Sequence, residues 1–262
     1  MTDSIADDSW IAYRTPAGTV LNLNDCVVED ARTMKFIRRA VGDVKVLLTQ
    51  FSYANWVGNP EDVEVRKNAA QIRLDTFIAQ VRQIEPRYVI PFASFIYFAH
   101  EENWYMNDSM NTVDRVVARI ERETKAVPVV LYPGDAWRMG DERANAPAIV
   151  RYTRDLRDRL AEGPVYASQP STKEAIESAL STFYARLRKK LSPAFRLYPL
   201  DSNVYLPDLD MSIRMSLRGY GATPGRNAGG ARTAISRRTA RTCFLRLKLH
   251  GAETRCTSMA AL

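Results

Sequence analysis

Histidine is scarce in this chain: among 262 residues there are two, His100 and His250. A dinuclear hydrolytic zinc centre draws on several neutral imidazoles, so this chain cannot assemble one from its own side chains. Cysteine is nearly as rare. Cys26, Cys243 and Cys256 are too few and too scattered for a disulfide framework, and no C-x-x-C pair is present to hold zinc or an iron–sulfur cluster. That usage fits a reducing compartment, and a cytoplasmic protein is expected. No apolar run approaches the roughly 20 residues that cross a bilayer, and the first nine residues are acidic where a signal peptide is basic and then apolar. No membrane partner is expected. The chain also lacks G-x-S-x-G, a Walker A loop and a dinucleotide fingerprint, which removes the serine-hydrolase elbow, the P-loop NTPases and the Rossmann enzymes from consideration.

Apolar residues make up 46% of the chain, enough for a sizeable core. The net charge of +7 is unevenly spread. Residues 219–262 hold eight basic residues against the single acid Glu253, and residues 1–218 hold 29 of each sign. A basic tail can bind nucleic acid, but this one has a single aromatic, Phe244, among its basic residues and follows a neutral body, so nucleic acid is not the expected partner.

The spacing of apolar residues predicts an α/β protein. Trp10 to Thr15 and Thr19 to Cys26 alternate on either side of Pro16-Ala17-Gly18, a hairpin pattern whose second strand ends at Asp25. A helix is predicted from Asp30 to Val41, closing at Gly42, then a strand over Val44–Phe51 and a loop, Ser52–Asn59, rich in aromatic and amide side chains. Asn59-Pro60-Glu61-Asp62 reads as a helix start, with the helix running to Ile84 before Pro86. A long buried strand from Arg87 follows and ends in His100-Glu101-Glu102-Asn103, completing a βαβ unit. Further helices are predicted over Thr112–Thr124, Ala146–Leu160 and from Ser171, where Ser171-Thr-Lys-Glu174 forms a capping box. A strand is predicted over Val127–Tyr132 and a hairpin around Pro199–Asn203; from Gly219 the pattern stops.

Strands of one parallel sheet deliver their carboxyl ends to one edge, where sites are built. His100, Glu101, Glu102, Asn103 and Asp108 follow such a strand; on the bare sequence they are either ligands and hydrogen-bonding groups or caps for the next helix. Asp25 is likewise a ligand or a turn cap. Asn22-Leu-Asn-Asp-Cys26, Leu47-Leu-Thr-Gln-Phe-Ser-Tyr-Ala-Asn-Trp56 and Tyr88-Val-Ile-Pro-Phe-Ala-Ser-Phe95 with His100 resemble metallo-β-lactamase-fold proteins of the CMP-N-acetylneuraminate hydroxylase-like group, over roughly residues 9–160. The resemblance implies the second half of an αββα sandwich, with Asp25 and His100 as metal ligands, zinc or iron as the metal in complete relatives, and Asn55, Trp56, Glu101 and Asn103 lining the site of a nucleotide-sugar-like substrate. It implies a hydrolase or monooxygenase as the parent activity.

The departures from that pattern are definite. The H-x-H-x-D-H motif of the first half and the Rieske module have no counterpart here, and Ala93 stands where relatives in the wider superfamily place a late histidine. The chain therefore reads as a partial domain over 9–165, a helix and strand extension over 166–218, and a basic tail over 219–262 that is disordered or out of frame. It is expected to be inactive alone, to hold no metal tightly and to self-associate through the surface that the missing half would cover. A binding or regulatory protein on the same scaffold, or a basic-tailed nucleic-acid binder, are the alternatives.

Overall fold

The structure is a computed structural model describing residues 9–24, 26, 28, 30–168, 171–193, 201–225, 236–237 and 259–261. It is a mixed α/β protein whose chain divides into two compact units, residues 1–166 with 258–262, and residues 167–257. Each is described by itself.

The first unit opens with the hairpin of β1 (Ile11–Thr15) and β2 (Gly18–Asn22), joined by Pro16-Ala17. Gly18 has φ +135, and a Cβ there would meet Lys45 Cγ at 2.2 Å, so the turn needs glycine. Helix α1 (Ala31–Val41) starts where the Asp30 carboxylate accepts the Thr33 N–H at 2.8 Å and stops at Gly42, φ +76. Then come β3 (Val44–Thr49), α2 (Val63–Ile84), β4 (Tyr88–Pro91), β5 (Ile96–Phe98), a 3₁₀ turn (Trp104–Ser109), α3 (Val113–Glu123), β6 (Val127–Pro128) and α4 (Ala146–Glu162).

The main sheet has the order β1-β2-β3-β4-β6, antiparallel at β1–β2 and parallel elsewhere. One face, through Leu21, Leu47 and Val89, packs on Met34 and Ile37 of α1, Leu74 and Phe77 of α2, Val116 and Ile120 of α3, and Tyr152 of α4. Burying each of these side chains is worth about 1.5–3 kcal/mol, so this face is the main source of stability. The opposite face carries Val20, Val46, Leu48, Tyr88, Ile90, Val129 and Leu131. Register adds Ile11, Tyr13 and Val127 to it, since Tyr13 faces Val20 and Val127 faces Tyr88. Trp137 and Met139 cover its middle, with the Trp137 ring 5.0 Å from that of Tyr88. Toward the edges the face is open: Tyr13 is 57% exposed, Val127 50% and Ile11 48%.

The segment that brings Trp137 across is pinned by Asp135, which accepts the Tyr132 N–H at 3.0 Å, two contacts from Arg151 Nη2 and one from Arg143. Arg151, together with the Tyr132 amide, holds the Asp135 carboxyl at about 2. A depressed carboxylate contributes stability in full above its ordinary value of 3.8 and loses it as pH falls through about 2, when protonation removes the acceptor. The urea midpoint should therefore fall more steeply from about pH 4 to 2 in the parent than in Asp135→Asn; identical slopes would overturn this.

In the second unit, α5 (Lys173–Lys190) lies on a sheet of β7 (Asp201–Leu206), β8 (Met211–Ser216) and β9 (Tyr220–Pro224), with the short β10 (Ser236–Arg237) beside β7. Ile176, Leu180 and Tyr184 pack on Leu206, Met211 and Ile213. The final strand, β11 (Met259–Ala261), is part of the first unit and pairs there with β5.

Several expected elements shift. The long strand from Arg87 is two pieces, because Pro91 and the left-handed Ala93, φ +54, turn the chain between β4 and β5. Helix α2 begins at Val63, and Asn59 to Asp62 form the turn before it, closed by the Asp62 carboxylate on the Asn59 N–H. The cap of α5 is Thr172 rather than Ser171, its hydroxyl accepting from Ala175 N–H at 3.2 Å. Of the hairpin expected around Pro199–Asn203, Pro199 and Leu200 lie outside the described residues and Asp201–Asn203 belong to β7, which pairs with β8 across a turn at Pro207–Asp210; pairing continues past Gly219 as β9.

Candidate functional site

The parallel strands β2, β3 and β4 end at one edge, and three buried polar side chains organise it. Gln80 of α2 accepts the Thr49 hydroxyl at 2.6 Å and donates to Val28 O at 3.1 Å, tying the end of β3 to the segment after β2. Ser94, just beyond the left-handed Ala93, receives the N–H groups of both Phe51 and Ser52 on its Oγ, at 2.9 and 3.0 Å. Two adjacent amides converging on one oxygen have the form of an anion nest; here the chain fills it with its own hydroxyl. Asn111 donates from Nδ2 to Phe51 O at 2.8 Å and Ala70 O at 2.7 Å, while its own N–H reaches Ser52 Oγ at 3.1 Å.

The loop after β3 is held by Arg66, whose side chain is 1% exposed. Its Nε and Nη2 grip both Asp108 oxygens at 2.9 and 2.6 Å, Nη2 also donates to Pro60 O at 3.0 Å, and Nη1 donates to Asn59 O. The guanidinium lies 4.9 Å from the Tyr105 ring centre, and Tyr105 donates to Gly58 O. Arg66 holds the Asp108 carboxyl below the usual carboxylate range. Burial pushes the Tyr53 hydroxyl to about 12, keeping it a donor to Met106 O. These contacts dock the 3₁₀ turn onto the loop.

Two hollows flank this network. An apolar one of about 70 Å³ lies among Phe51, Phe95, Met110, Val113, Tyr152 and Leu156, with Phe95 stacked on Tyr152 at 3.9 Å. A broad polar one of about 600 Å³ lies among Lys67, Asn68, Gln71, Asp108, Ser109 and Arg115. Arg115 already donates to Gln71 Oε1 at 2.7 Å, and Lys67 to Glu64 at 2.8 Å. Open and lined by donors and acceptors, it suits a hydroxyl-rich ligand better than an apolar one.

The residues singled out from sequence fall into two groups. Trp56 is 51% exposed, and Asn55 beside it is exposed. His100 and Asn103 form a separate turn: His100 Nδ1 accepts the Glu102 N–H, the Asn103 carboxamide accepts the His100 N–H, and Asn103 N–H returns to His100 O. Exposed Glu101 sends its N–H to Tyr166 O, where His100 makes a parallel bridge. No hydrogen bond among the described residues links this turn to Asn55 or Trp56. Asp25 lies outside the described residues. Among those described, no three His, Cys, Asp or Glu side chains form a metal-ligand group, and His100 spends Nδ1 on a backbone amide. Arg66, Ser94, Gln80 and Asn111 escaped the sequence reading. The only local sign was a run of polar residues, Arg66-Lys-Asn68 and Gln71, opening α2.

No helix among the described residues is long and apolar enough to cross a membrane. The chain matches no family model, no curated protein and no solved structure.

Proposed function

We propose that the first unit is the helix-backed second sheet of an αββα sandwich of the metallo-β-lactamase type. In this reading the chain does not turn over substrate by itself. Hydrolysis or oxygenation of a nucleotide-sugar-like molecule would require a second sheet layer bringing the imidazoles that two histidines cannot supply. The observation that carries the reading is the apolar face of the main sheet, covered over its middle by Trp137 and Met139 and open toward its edges. Largely parallel sheets are covered on both faces, whereas here Ile11, Tyr13 and Val127, at the edges, remain about half exposed. An apolar sheet of this kind is the surface that a second sheet packs against, at about 10 Å.

The test uses the chain alone. Sedimentation should show reversible self-association, and a dye that fluoresces on apolar surfaces should bind. Ile11→Glu/Tyr13→Glu/Val127→Glu, at three half-exposed positions, should give a monomer with weakened dye binding and unchanged circular dichroism. A monomeric parent that binds no dye would overturn the reading.

A further inference from the structure

We propose that the second unit binds the phosphate backbone of nucleic acid, with the last two turns of α5 as the contact surface. This is independent of the function proposed for the first unit. The boundary after Tyr166 redistributes the charge: residues 1–166 hold 21 basic and 24 acidic residues, whereas residues 167–257 hold 16 basic and 6 acidic, a net of +10. A neutral body with a basic tail becomes a slightly acidic unit and a strongly basic one.

Four of the basic residues in the described part of the second unit are clustered at the end of α5. Arg186, Arg188, Lys189 and Lys190 are all exposed, because Ile176, Leu180 and Tyr184 turn the other side of α5 onto the sheet. The four form no ion pair among the described residues. The nearest acids on the helix, Glu174 and Glu177, are at least nine residues back, on the order of 13 Å along the axis, and Glu177 already meets Lys173. In the first unit, by contrast, Arg66, Arg119, Arg143 and Arg151 all end on carboxylates.

A helix C-terminus favours cations, but its dipole amounts to roughly half a charge and accounts for one of them, not four. The sequence extends the same sign: residues 178–200 contain five basic residues and no acid, and residues 226–255 eight against one. An extended run of arginine and lysine fits a chain of phosphodiesters, which repays each contact by releasing counterions. A lipid surface fits less well, because the exposed residues preceding the basic turns, Ser178, Ser181, Thr182 and Ala185, offer nothing large and apolar to insert.

The test measures fluorescence anisotropy of a labelled single-stranded DNA of about 20 nucleotides with the full chain, over a series of salt concentrations. Four phosphate contacts predict a slope of log affinity against log salt of about −3 or steeper. Arg186→Gln/Arg188→Gln/Lys189→Gln/Lys190→Gln, at exposed positions that should leave the helical signal intact, should flatten the slope by about 3 and weaken binding at least tenfold at about 100 mM salt. No binding at about 50 mM salt, or equal binding by the variant, would overturn the proposal. So would binding to vesicles of anionic phospholipid with none to DNA.

Discussion

Arg66→Met is expected to lower the stability of the first unit by about 3 kcal/mol, the lower end of what breaking a buried ion pair costs. The guanidinium is buried, yet its partner Asp108 keeps 36% of its side chain exposed, so water can solvate part of the carboxylate left behind. The carbonyls of Asn59 and Pro60 lose their donor as well. Arg66→Lys should recover little, since a single ammonium cannot serve both Asp108 oxygens and two carbonyls in the geometry of a planar fork. Lys67→Met is the control: its pair with Glu64 is exposed, and losing it should leave the urea midpoint where it is. Urea unfolding supplies the comparison, and limited proteolysis adds a local readout, because a 51–62 loop released from Arg66 should be cut sooner. A loss below about 1 kcal/mol for Arg66→Met would show that the network is not what holds the loop.

Asn111→Ala should cost about 2–4 kcal/mol, because the carbonyls of Phe51 and Ala70 would be left inside the protein without a donor, each a penalty of about 1–3 kcal/mol. Asn111→Asp should cost more. It has nearly the same shape, but it turns a carboxylate oxygen toward those two carbonyls in place of the Nδ2 donor, while the nearby Arg115, which already meets Oδ1, compensates on one side only. Thermal unfolding of the two variants would decide the matter, and Asn111→Asp proving no worse than Asn111→Ala would rule out the donor role.

The expected positions of the site residues survive only in part. The turn after β5 reaches the loop that carries Trp56 through Tyr105, which donates to Gly58 O, and not through His100. The polar run from His100 was legible as either a ligand set or a cap. The structure uses His100 and Asn103 to close a turn, since an imidazole nitrogen and a carboxamide oxygen two or three residues from an open amide are its nearest partners.

By itself the sequence determined what depends on neighbours within a few residues. The hairpin at Pro16-Ala17-Gly18, the cap at Asp30, the apolar stripes of α1, α2 and α3 and the mixed α/β class all follow from period and turn chemistry. So did the lack of imidazoles, which is a matter of counting. Tertiary structure decided whatever depends on partners far along the chain. In α2, the apolar Val65 is 54% exposed while the charged Arg66 beside it is buried, the reverse of what side-chain polarity suggests, because Asp108 arrives from 42 residues away. Ser94 and Asn111 likewise meet their amides and carbonyls across 41 to 60 residues. The charge asymmetry was present in the sequence throughout, but it became a property of one body only when the fold divided the chain after Tyr166, since a field is the sum over groups that stay together in space.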